Sequence, residues 1–142
     1  MTALRVALLI AAALVAMPGV SSAAELTVEV LGIRSNDGLL HFGLYDTPET
    51  FPDKDGRLDG ARVAISRNRA VAVFSGLAPG RYALAVFHDE NSNGEFDQIF
   101  FGLPMEDFGF SNGAVAFFGP PRFEDAAVEI PAQGAKIVIR LD

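Results

Sequence analysis

The period of the apolar residues after residue 24 limits the possible folds more than any other feature of this chain. Leu26, Val28 and Val30 alternate with the polar residues Thr27 and Glu29, as in a strand with one buried face. No stretch beyond residue 24 repeats its apolar residues with the helical period of about 3.6 over several turns. Further strands are predicted at residues 39–45, 61–66, 70–74, 81–87, 126–130 and 136–141.

Turns rich in glycine and proline separate these strands, as at residues 35–38 (Ser-Asn-Asp-Gly) and 76–80 (Gly-Leu-Ala-Pro-Gly). The first of these turns predicts a hairpin between residues 26–30 and 39–45. Short strands at intervals of about 8–12 residues predict an all-β fold, either an antiparallel β-sandwich or a small barrel, and we favour the sandwich. Because no repeat, linker or low-complexity segment interrupts them, residues 25–142 are predicted to form one domain.

The first 24 residues have the organisation of a cleavable signal peptide. Arg5 is followed by an apolar run at residues 6–17, a helix breaker and the small residues 21–24. A membrane-spanning helix needs about 20 apolar residues, so no transmembrane segment is predicted. We expect cleavage after Ala24, or after Ala23 as the second choice, and a periplasmic or secreted chain. The alternative is a buried N-terminal helix.

The composition excludes several classes of function. The chain contains no cysteine and two histidines, which excludes disulfide scaffolds, thiolate zinc sites, iron–sulfur clusters and cysteine nucleophiles. Its 142 residues carry a formal net charge of −7, and loss of a leader whose only charge is Arg5 makes the remainder more negative. Nucleic acid is not expected as a partner, because phosphate binding requires clustered Lys and Arg.

An acidic loop at residues 88–97 carries the clearest chemical signal. Counted from Asp89, it reads Asp-x-Asn-x-Asn-Gly-x-x-Asp, which places oxygen-bearing side chains and a turn glycine at the spacing of a calcium loop. The stretch holds four carboxylates and no Lys or Arg, so a bound cation would relieve their mutual repulsion. The predicted Ca²⁺ ligands are the side chains of Asp89, Asn91, Asn93 and Asp97 and the main-chain carbonyl of Glu95.

The motif is incomplete, because Phe100 stands where a helix–loop–helix calcium hand has its bidentate glutamate, and a strand enters the loop. With so few anionic ligands, we expect a dissociation constant of about 10⁻⁴–10⁻³ M. The alternative is a solvated turn that binds no ion. A poorer version of the motif at residues 53–59 includes two basic residues and is predicted to be a surface loop. The candidates for the missing ligand are Glu106, Asp107, Glu124 and Asp125.

The chain beyond this loop is unusually rich in phenylalanine. So large an apolar content is incompatible with a disordered loop. We predict that residues 98–124 form an ordered flap that packs over the open end of the sandwich. The alternative is a surface that something else covers, such as an apolar ligand. Residues 88–124 contain eight of the twelve phenylalanines, namely Phe96, Phe100, Phe101, Phe108, Phe110, Phe117, Phe118 and Phe123.

Three further signals suggest enzymes, and each has a simpler structural explanation. Residues 109–113 match the Gly-x-Ser-x-Gly pattern of a nucleophile elbow, but no histidine follows Ser111 and no helical pattern continues the motif. His88, at a strand end, is more often a hydrogen-bonded structural residue than a general base or a metal ligand. The acidic pairs at residues 106–107 and 124–125 suit glycosidase chemistry only at a defined separation, which the sequence does not set.

Residues 74–84 (Phe-Ser-Gly-Leu-Ala-Pro-Gly-Arg-Tyr-Ala-Leu) resemble the turn-and-strand signature of transthyretin-like, or prealbumin-like, sandwich domains. A longer set of residues covers nearly all of the chain after residue 24: His88–Asn91, Asn93-Gly94, Asp97, Phe101–Pro104, Glu106, Gly109–Asn112, Phe118–Pro121 and Phe123–Ala126. This set resembles an exported bacterial family of unknown function, DUF 2141. The resemblance implies a β-sandwich and a periplasmic or surface location, and it implies no established activity.

Taken together, these features predict an exported β-sandwich, immunoglobulin-like or transthyretin-like, that acts as a non-enzymatic binding or accessory module of the cell envelope. Weakly bound Ca²⁺ is the expected cofactor. The candidate partners are an envelope protein, a polysaccharide or an apolar ligand. The alternatives are a small hydrolase that uses His88 and Ser111, and a carrier of an apolar ligand beneath residues 98–124.

Overall fold

Two β-sheets form the framework of the protein, which is described by a computed structural model covering residues 23–98, 102 and 104–141. The described residues contain almost no helix, so the prediction of an all-β fold is confirmed. Two single 3₁₀ turns, Lys54–Gly56 and Ser111–Gly113, lie in the connecting loops. In chain order the elements are β1 (Ala24–Leu31), β2 (Leu39–Tyr45), β3 (Asp59–Ala64), β4 (Ala70–Leu77), β5 (Gly80–Asp89), β6 (Phe108–Phe110), α1 (Phe123–Ala126), β7 (Val128–Ile130) and β8 (Ala135–Arg140).

The first sheet has the strand order β4-β1-β8, and the second has the order β3-β2-β5-β6, with β7 pairing the first residues of β5. Val28 of β1 lies opposite Ala72 in an antiparallel pair and opposite Ile137 in a parallel pair. The prediction of a wholly antiparallel sandwich is therefore wrong at the β1–β8 pair. These two strands are the first and last in the described part of the chain, and no tight turn joins them, so their connection does not require an antiparallel direction.

The predicted hairpin between β1 and β2 is also wrong, because the two strands lie in different sheets. The connection between them crosses from one sheet to the other and is held by Asn68. The main-chain N–H of Asn68 donates to Oδ1 of Asn36, and its side-chain amide donates to the carbonyl of Ile33, each at 2.8 Å. An alternating pattern shows that one face of a strand is buried. It does not show whether the next strand lies beside it in the same sheet or opposite it in the other sheet.

The main hydrophobic core fills the space between the two sheets. Alternate residues of each strand point into it, as the alternating sequence pattern requires. The two sheets meet where Phe42 of β2 and Phe74 of β4 pack edge to face, with ring centroids 6.5 Å apart. The fully buried residues at the centre are Leu26, Val28 and Val30 of β1, Leu40 and Leu44 of β2, Leu84 of β5, and Ile130.

A second set of apolar side chains covers the outer face of the second sheet. Phe51, from the loop before β3, packs edge to face against Tyr45, Phe110 and Phe123, with ring centroids 5.2, 6.0 and 6.0 Å away. Together with the aromatic residues at the other end of the same face, these rings form one aromatic layer. The layer consists of His41, Tyr45, Phe51, Phe87, Phe96, Phe108, Phe110 and Phe123.

The described part of the predicted phenylalanine-rich flap covers this outer face rather than an open end of the sheets. Phe96, Phe108, Phe110 and Phe123 belong to the aromatic layer, whereas Phe117 and Phe118 are exposed. The outer face is available to the flap because β5 carries Ala83 and Ala85 there, whose small side chains leave room for rings. Phe100 and Phe101 lie outside the described residues.

The predicted signal peptide also lies outside the described residues, apart from Ala23 and Ala24. Ala24 is 1% exposed and is already the first residue of β1. Within the described part of the chain, no helix combines the length and the apolar character needed to cross a membrane.

Candidate metal site

The acidic loop starts at the last residue of β5, Asp89, which is 1% exposed. Pairing of β2 with β5 places His41 directly opposite Phe87, and the two rings stack with centroids 4.7 Å apart. The stack brings Nε2 of His41 to 2.9 Å from Oδ2 of Asp89. Burial lowers the pKa of His41, and the negative charge of Asp89 opposes that effect. The loop therefore begins in the second sheet, at one end of the aromatic layer.

Asp89 determines the path of the loop through its carboxylate. Oδ1 accepts the main-chain N–H of Asn93 at 3.0 Å, and Oδ2 accepts the N–H of Gly94 at 2.9 Å. Gly94 has a φ of 80°, the left-handed conformation that a glycine adopts without steric cost. The chain therefore turns at Gly94, as predicted, and the turn closes on the carboxylate of Asp89.

Two of the other predicted side-chain ligands, Asn91 and Asn93, converge on the third, the carboxylate of Asp97. Nδ2 of Asn91 donates to Oδ2 of Asp97 at 2.6 Å. Nδ2 of Asn93 lies 2.9 and 3.0 Å from the two oxygens of the same carboxylate. The amide oxygens face the main chain instead, since Oδ1 of Asn91 accepts the N–H of Asn93 and Oδ1 of Asn93 accepts that of Glu95.

Of the four candidates for the missing ligand, Glu106 is the one that reaches the loop. Its Oε2 accepts the main-chain N–H of Asp97 at 3.1 Å, and the N–H of Met105 donates to the carbonyl of Asp97 at 2.9 Å. Oε1 of Glu106 is buried without a hydrogen-bond partner among the described residues. Burial raises the pKa of Glu106. Hydrogen bonds from the main chain of Asp97 and Glu90 oppose this rise, and the charges of Asp97 and Asp89 add to it.

The other three candidates are not brought to the loop. Asp107 is 8% exposed and forms a two-bond ion pair with Arg34. Asp125 is bound by Arg122, with both nitrogen–oxygen distances at 3.0 Å, and this ion pair holds the pKa of Asp125 below its ordinary value. Glu124 lies beside Asp125 in α1.

Two residues at the loop could not be identified from the motif, because both are distant from it in the chain. His41 could have been found only from the register of β2 with β5. Lys54 reaches the loop from the turn at Lys54–Gly56, where Nζ lies 3.3 Å from the carbonyl oxygen of Gly94 and 3.0 Å from Oε1 of Glu95. The predicted surface loop at residues 53–59 is exposed except at Gly56, and it contacts the acidic loop through this lysine.

The oxygen atoms that the loop offers to a cation belong to carboxylates, side-chain amides and main-chain carbonyls. Across the described ranges, no group of three or more His, Cys, Asp or Glu side chains is arranged to hold a metal ion. A cation at this loop would therefore depend on the amide oxygens of Asn91 and Asn93 and on main-chain carbonyls. Such hard oxygen ligands suit Ca²⁺.

The residues of the alternative hydrolase occupy structural positions. Ser111 is 0% exposed; its hydroxyl accepts the N–H of Leu84 at 2.8 Å and donates to the carbonyl of Ala126 at 2.5 Å. His88 is 2% exposed, and its Nε2 lies 2.7 Å from the carbonyl oxygen of Asp37. A nucleophile must be accessible and must bond to a base, and Ser111 has neither property in this arrangement.

Comparison with known proteins agrees with the sequence resemblance. No match was found among curated proteins or among solved structures. The family described as an uncharacterized protein conserved in bacteria, DUF2141, matches residues 28–138, which include part or all of every strand and the whole acidic loop. The chain therefore belongs to the DUF2141 family.

Proposed function

We propose that this protein is a non-enzymatic binding or accessory module of the bacterial cell envelope, stabilised by a weakly bound Ca²⁺ ion in the loop at residues 88–97. The two-sheet arrangement supports an assignment to the immunoglobulin-like or transthyretin-like sandwiches. The basic, apolar and small-residue order of residues 1–24 supports export. The expected dissociation constant lies in the range that is typical of extracellular calcium-binding modules.

The observation that carries the proposal is the convergence of Glu106 on Asp97. Glu106 supplies the carboxylate that the motif lacks, and its buried Oε1 has no hydrogen-bond partner in the described residues. A buried polar atom without a partner is costly, and a bound cation would satisfy it. The anionic ligands would then be Asp89, Asp97 and Glu106. The loop would have to close around the ion to bring them together, because no three such side chains in the described residues are arranged to hold a metal ion.

Two features of the loop account for a weak affinity. The amide nitrogens of Asn91 and Asn93 face Asp97, so both side chains must turn their oxygens toward an incoming ion. Lys54 places a positive charge 3.0 Å from Glu95, at the rim of the loop. Both effects oppose cation binding, in agreement with an expected dissociation constant of about 10⁻⁴–10⁻³ M.

The proposal predicts that Ca²⁺ raises the melting temperature of the protein. With a dissociation constant of about 1 mM, Ca²⁺ at about 10 mM adds about 1.4 kcal/mol of stability, which corresponds to a rise of about 3–8 °C for a domain of this size. The measurement is thermal unfolding followed by circular dichroism, in CaCl₂ and in NaCl of equal ionic strength. Asp97→Asn and Glu106→Gln should each remove most of the rise.

Asp55→Asn is the matched control, because Asp55 is an exposed acidic residue in the neighbouring turn and not a proposed ligand. This variant should keep the full response to Ca²⁺. Equal melting temperatures of the wild type in CaCl₂ and NaCl would disprove ion binding. Loss of the response in Asp55→Asn as well would mean that Ca²⁺ acts through general surface charge.

A further inference from the structure

The connection between β1 and β2 lies against the base of the acidic loop. We call residues 32–38 the crossing loop, because they lead from the first sheet to the second. The carbonyl oxygen of Asp37 is 2.7 Å from Nε2 of His88. At Gly38 a Cβ atom would overlap the carbonyl oxygen of Asp89, and the φ of 69° there also suits glycine. The crossing loop is therefore in close contact with the point where the acidic loop leaves β5.

Arg34 of the crossing loop binds the carboxylate of Asp107 at two points. Its Nε donates to Oδ2 at 2.6 Å, and its Nη2 donates to Oδ1. Two-point contacts between a guanidinium and a carboxylate fix the direction of both groups. The carbonyl oxygen of Asp107 accepts the main-chain N–H of His88 at 2.9 Å. Asp107 is thus attached to β5 through its main chain and to the crossing loop through its side chain.

Asp107 directly follows Glu106, the acidic candidate that reaches the acidic loop. Just before them, the N–H of Met105 donates to the carbonyl of Asp97, and Oε2 of Glu106 accepts the N–H of Asp97. Glu106 therefore lies between two sets of contacts, one to the crossing loop and one to the acidic loop. The contacts to the acidic loop involve residues that would have to move if the loop closed around an ion. The contact to the crossing loop does not, so it can hold Glu106 in place while the acidic loop moves.

We infer that Arg34 is a positioning residue of the proposed ion site: through Asp107 it holds Glu106 in place, so that residues 89–97 close against a fixed carboxylate. This inference rests on the proposed function. A ligand whose position is already fixed loses less conformational freedom when the ion binds, which strengthens binding. Groups that orient metal ligands without touching the metal commonly change the affinity by about 10–100-fold.

The positive charge of Arg34 has the opposite effect on cation binding. A guanidinium near the site repels a cation, so removal of its charge alone should tighten binding. Loss of the positioning contact should weaken binding instead. The sign of the change in affinity therefore distinguishes a positioning role from an effect of charge alone. Lys54 is the charge control, because its nitrogen contacts Gly94 and Glu95 at the rim of the loop rather than a proposed carboxylate ligand.

A Ca²⁺ titration of the purified protein, followed by the NMR signals of the main-chain amides of Gly94 and Asp97, tests this inference. At constant ionic strength, Arg34→Gln should raise the dissociation constant about ten-fold, whereas Lys54→Gln should lower it about two- to five-fold. Arg34→Lys keeps the cation but not the two-point contact, so its dissociation constant should lie between those of Arg34→Gln and the wild type. The Arg34 side chain is 77% exposed, so its replacement leaves no buried cavity, and dispersed NMR signals confirm that each variant is folded.

Arg122→Gln is the matched control, because Arg122 forms the same kind of two-point ion pair with Asp125 away from the loop; its dissociation constant should equal that of the wild type. In chains that already carry Glu106→Gln, adding Arg34→Gln should change the dissociation constant by less than about two-fold, because the carboxylate that Arg34 positions is gone. Unchanged or tighter binding in Arg34→Gln would overturn the inference, as would equal weakening with and without Glu106. A wild type whose amide signals do not respond to Ca²⁺ would instead refute the proposed function, and this inference with it.

Discussion

At the scale of single residues, the motif predicted the sharp turn at Gly94, because a turn depends on local spacing. The assignment of Asp89 as a Ca²⁺ ligand stays a prediction. The direction of the amide groups of Asn91 and Asn93 could not be deduced, since it depends on how strongly Asp97 attracts their nitrogens. The sequence likewise could not show that Glu106, rather than another acidic candidate, lies at the loop. That placement depends on a contact between Asp97 and Glu106, which are nine residues apart in the chain.

Ser111 provides a residue-scale prediction that also separates a structural role from a catalytic one. Ser111→Ala leaves the N–H of Leu84 and the carbonyl of Ala126 without their side-chain partner, and it should lower the free energy of unfolding by about 1–3 kcal/mol. Urea denaturation measures the loss. Ser66→Ala, at an exposed serine, should change stability by less than about 0.5 kcal/mol. Unchanged stability in Ser111→Ala, together with loss of an esterase activity, would instead favour the hydrolase.

At the scale of secondary structure, each predicted strand overlaps an observed one, because the alternating pattern and the turn residues are local signals. β6 was not predicted, since it has only three residues and lies within the phenylalanine-rich segment. The strand predicted at residues 126–130 begins late, at Val128, because Phe123–Ala126 forms the helical turn α1. Burial of Phe123 and Ala126 against the second sheet favours the helical turn over an extended strand.

The prediction for secondary structure concerns β6, which packs closely against β8. A Cβ atom at Gly109 would lie 2.8 Å from the carbonyl oxygen of Arg140 and 3.0 Å from a methyl carbon of Ile139. Gly109→Ala should therefore lower the free energy of unfolding by about 1–3 kcal/mol through overpacking. At Gly80 the nearest atom would be 4.0 Å away, so Gly80→Ala is the control. Equal stabilities of the two variants by urea denaturation would contradict the close packing of β6 on β8.

At the scale of the whole molecule, the all-β class followed from the sequence, but the pairing of the strands did not. A pattern of alternating residues shows which face is buried and carries no information about which strand lies beside which. The separation of β1 and β2 into two sheets, the parallel pair β1–β8 and the aromatic layer on the outer face all depend on contacts between distant segments. Phe51 of that layer comes from a loop whose sequence is mainly polar.

Export is the prediction that concerns the whole chain. The protein isolated from its host should be in the periplasm or the medium, with the mass of residues 25–142 or, after cleavage at the second site, of residues 24–142. Intact-mass spectrometry of each cell fraction measures this. A cytoplasmic chain that keeps residues 1–24 would contradict the proposed location and leave ion binding by the loop unaffected. Replacing Ala24 by Leu, a residue too large for the cleavage site, should cause the precursor to accumulate.

The parallel pair of β1 with β8 has a consequence for the order of events in folding. β1 is the central strand of its sheet, yet one of its two neighbours is the last strand of the chain. A chain that emerges from a ribosome or a translocation pore with its N-terminus first cannot complete this sheet until residues 135–140 have passed through. Pairing between such distant strands is slow. On the proposed export, this delay would leave the polypeptide unfolded during transit, and the sheet would close only after those residues had crossed the membrane.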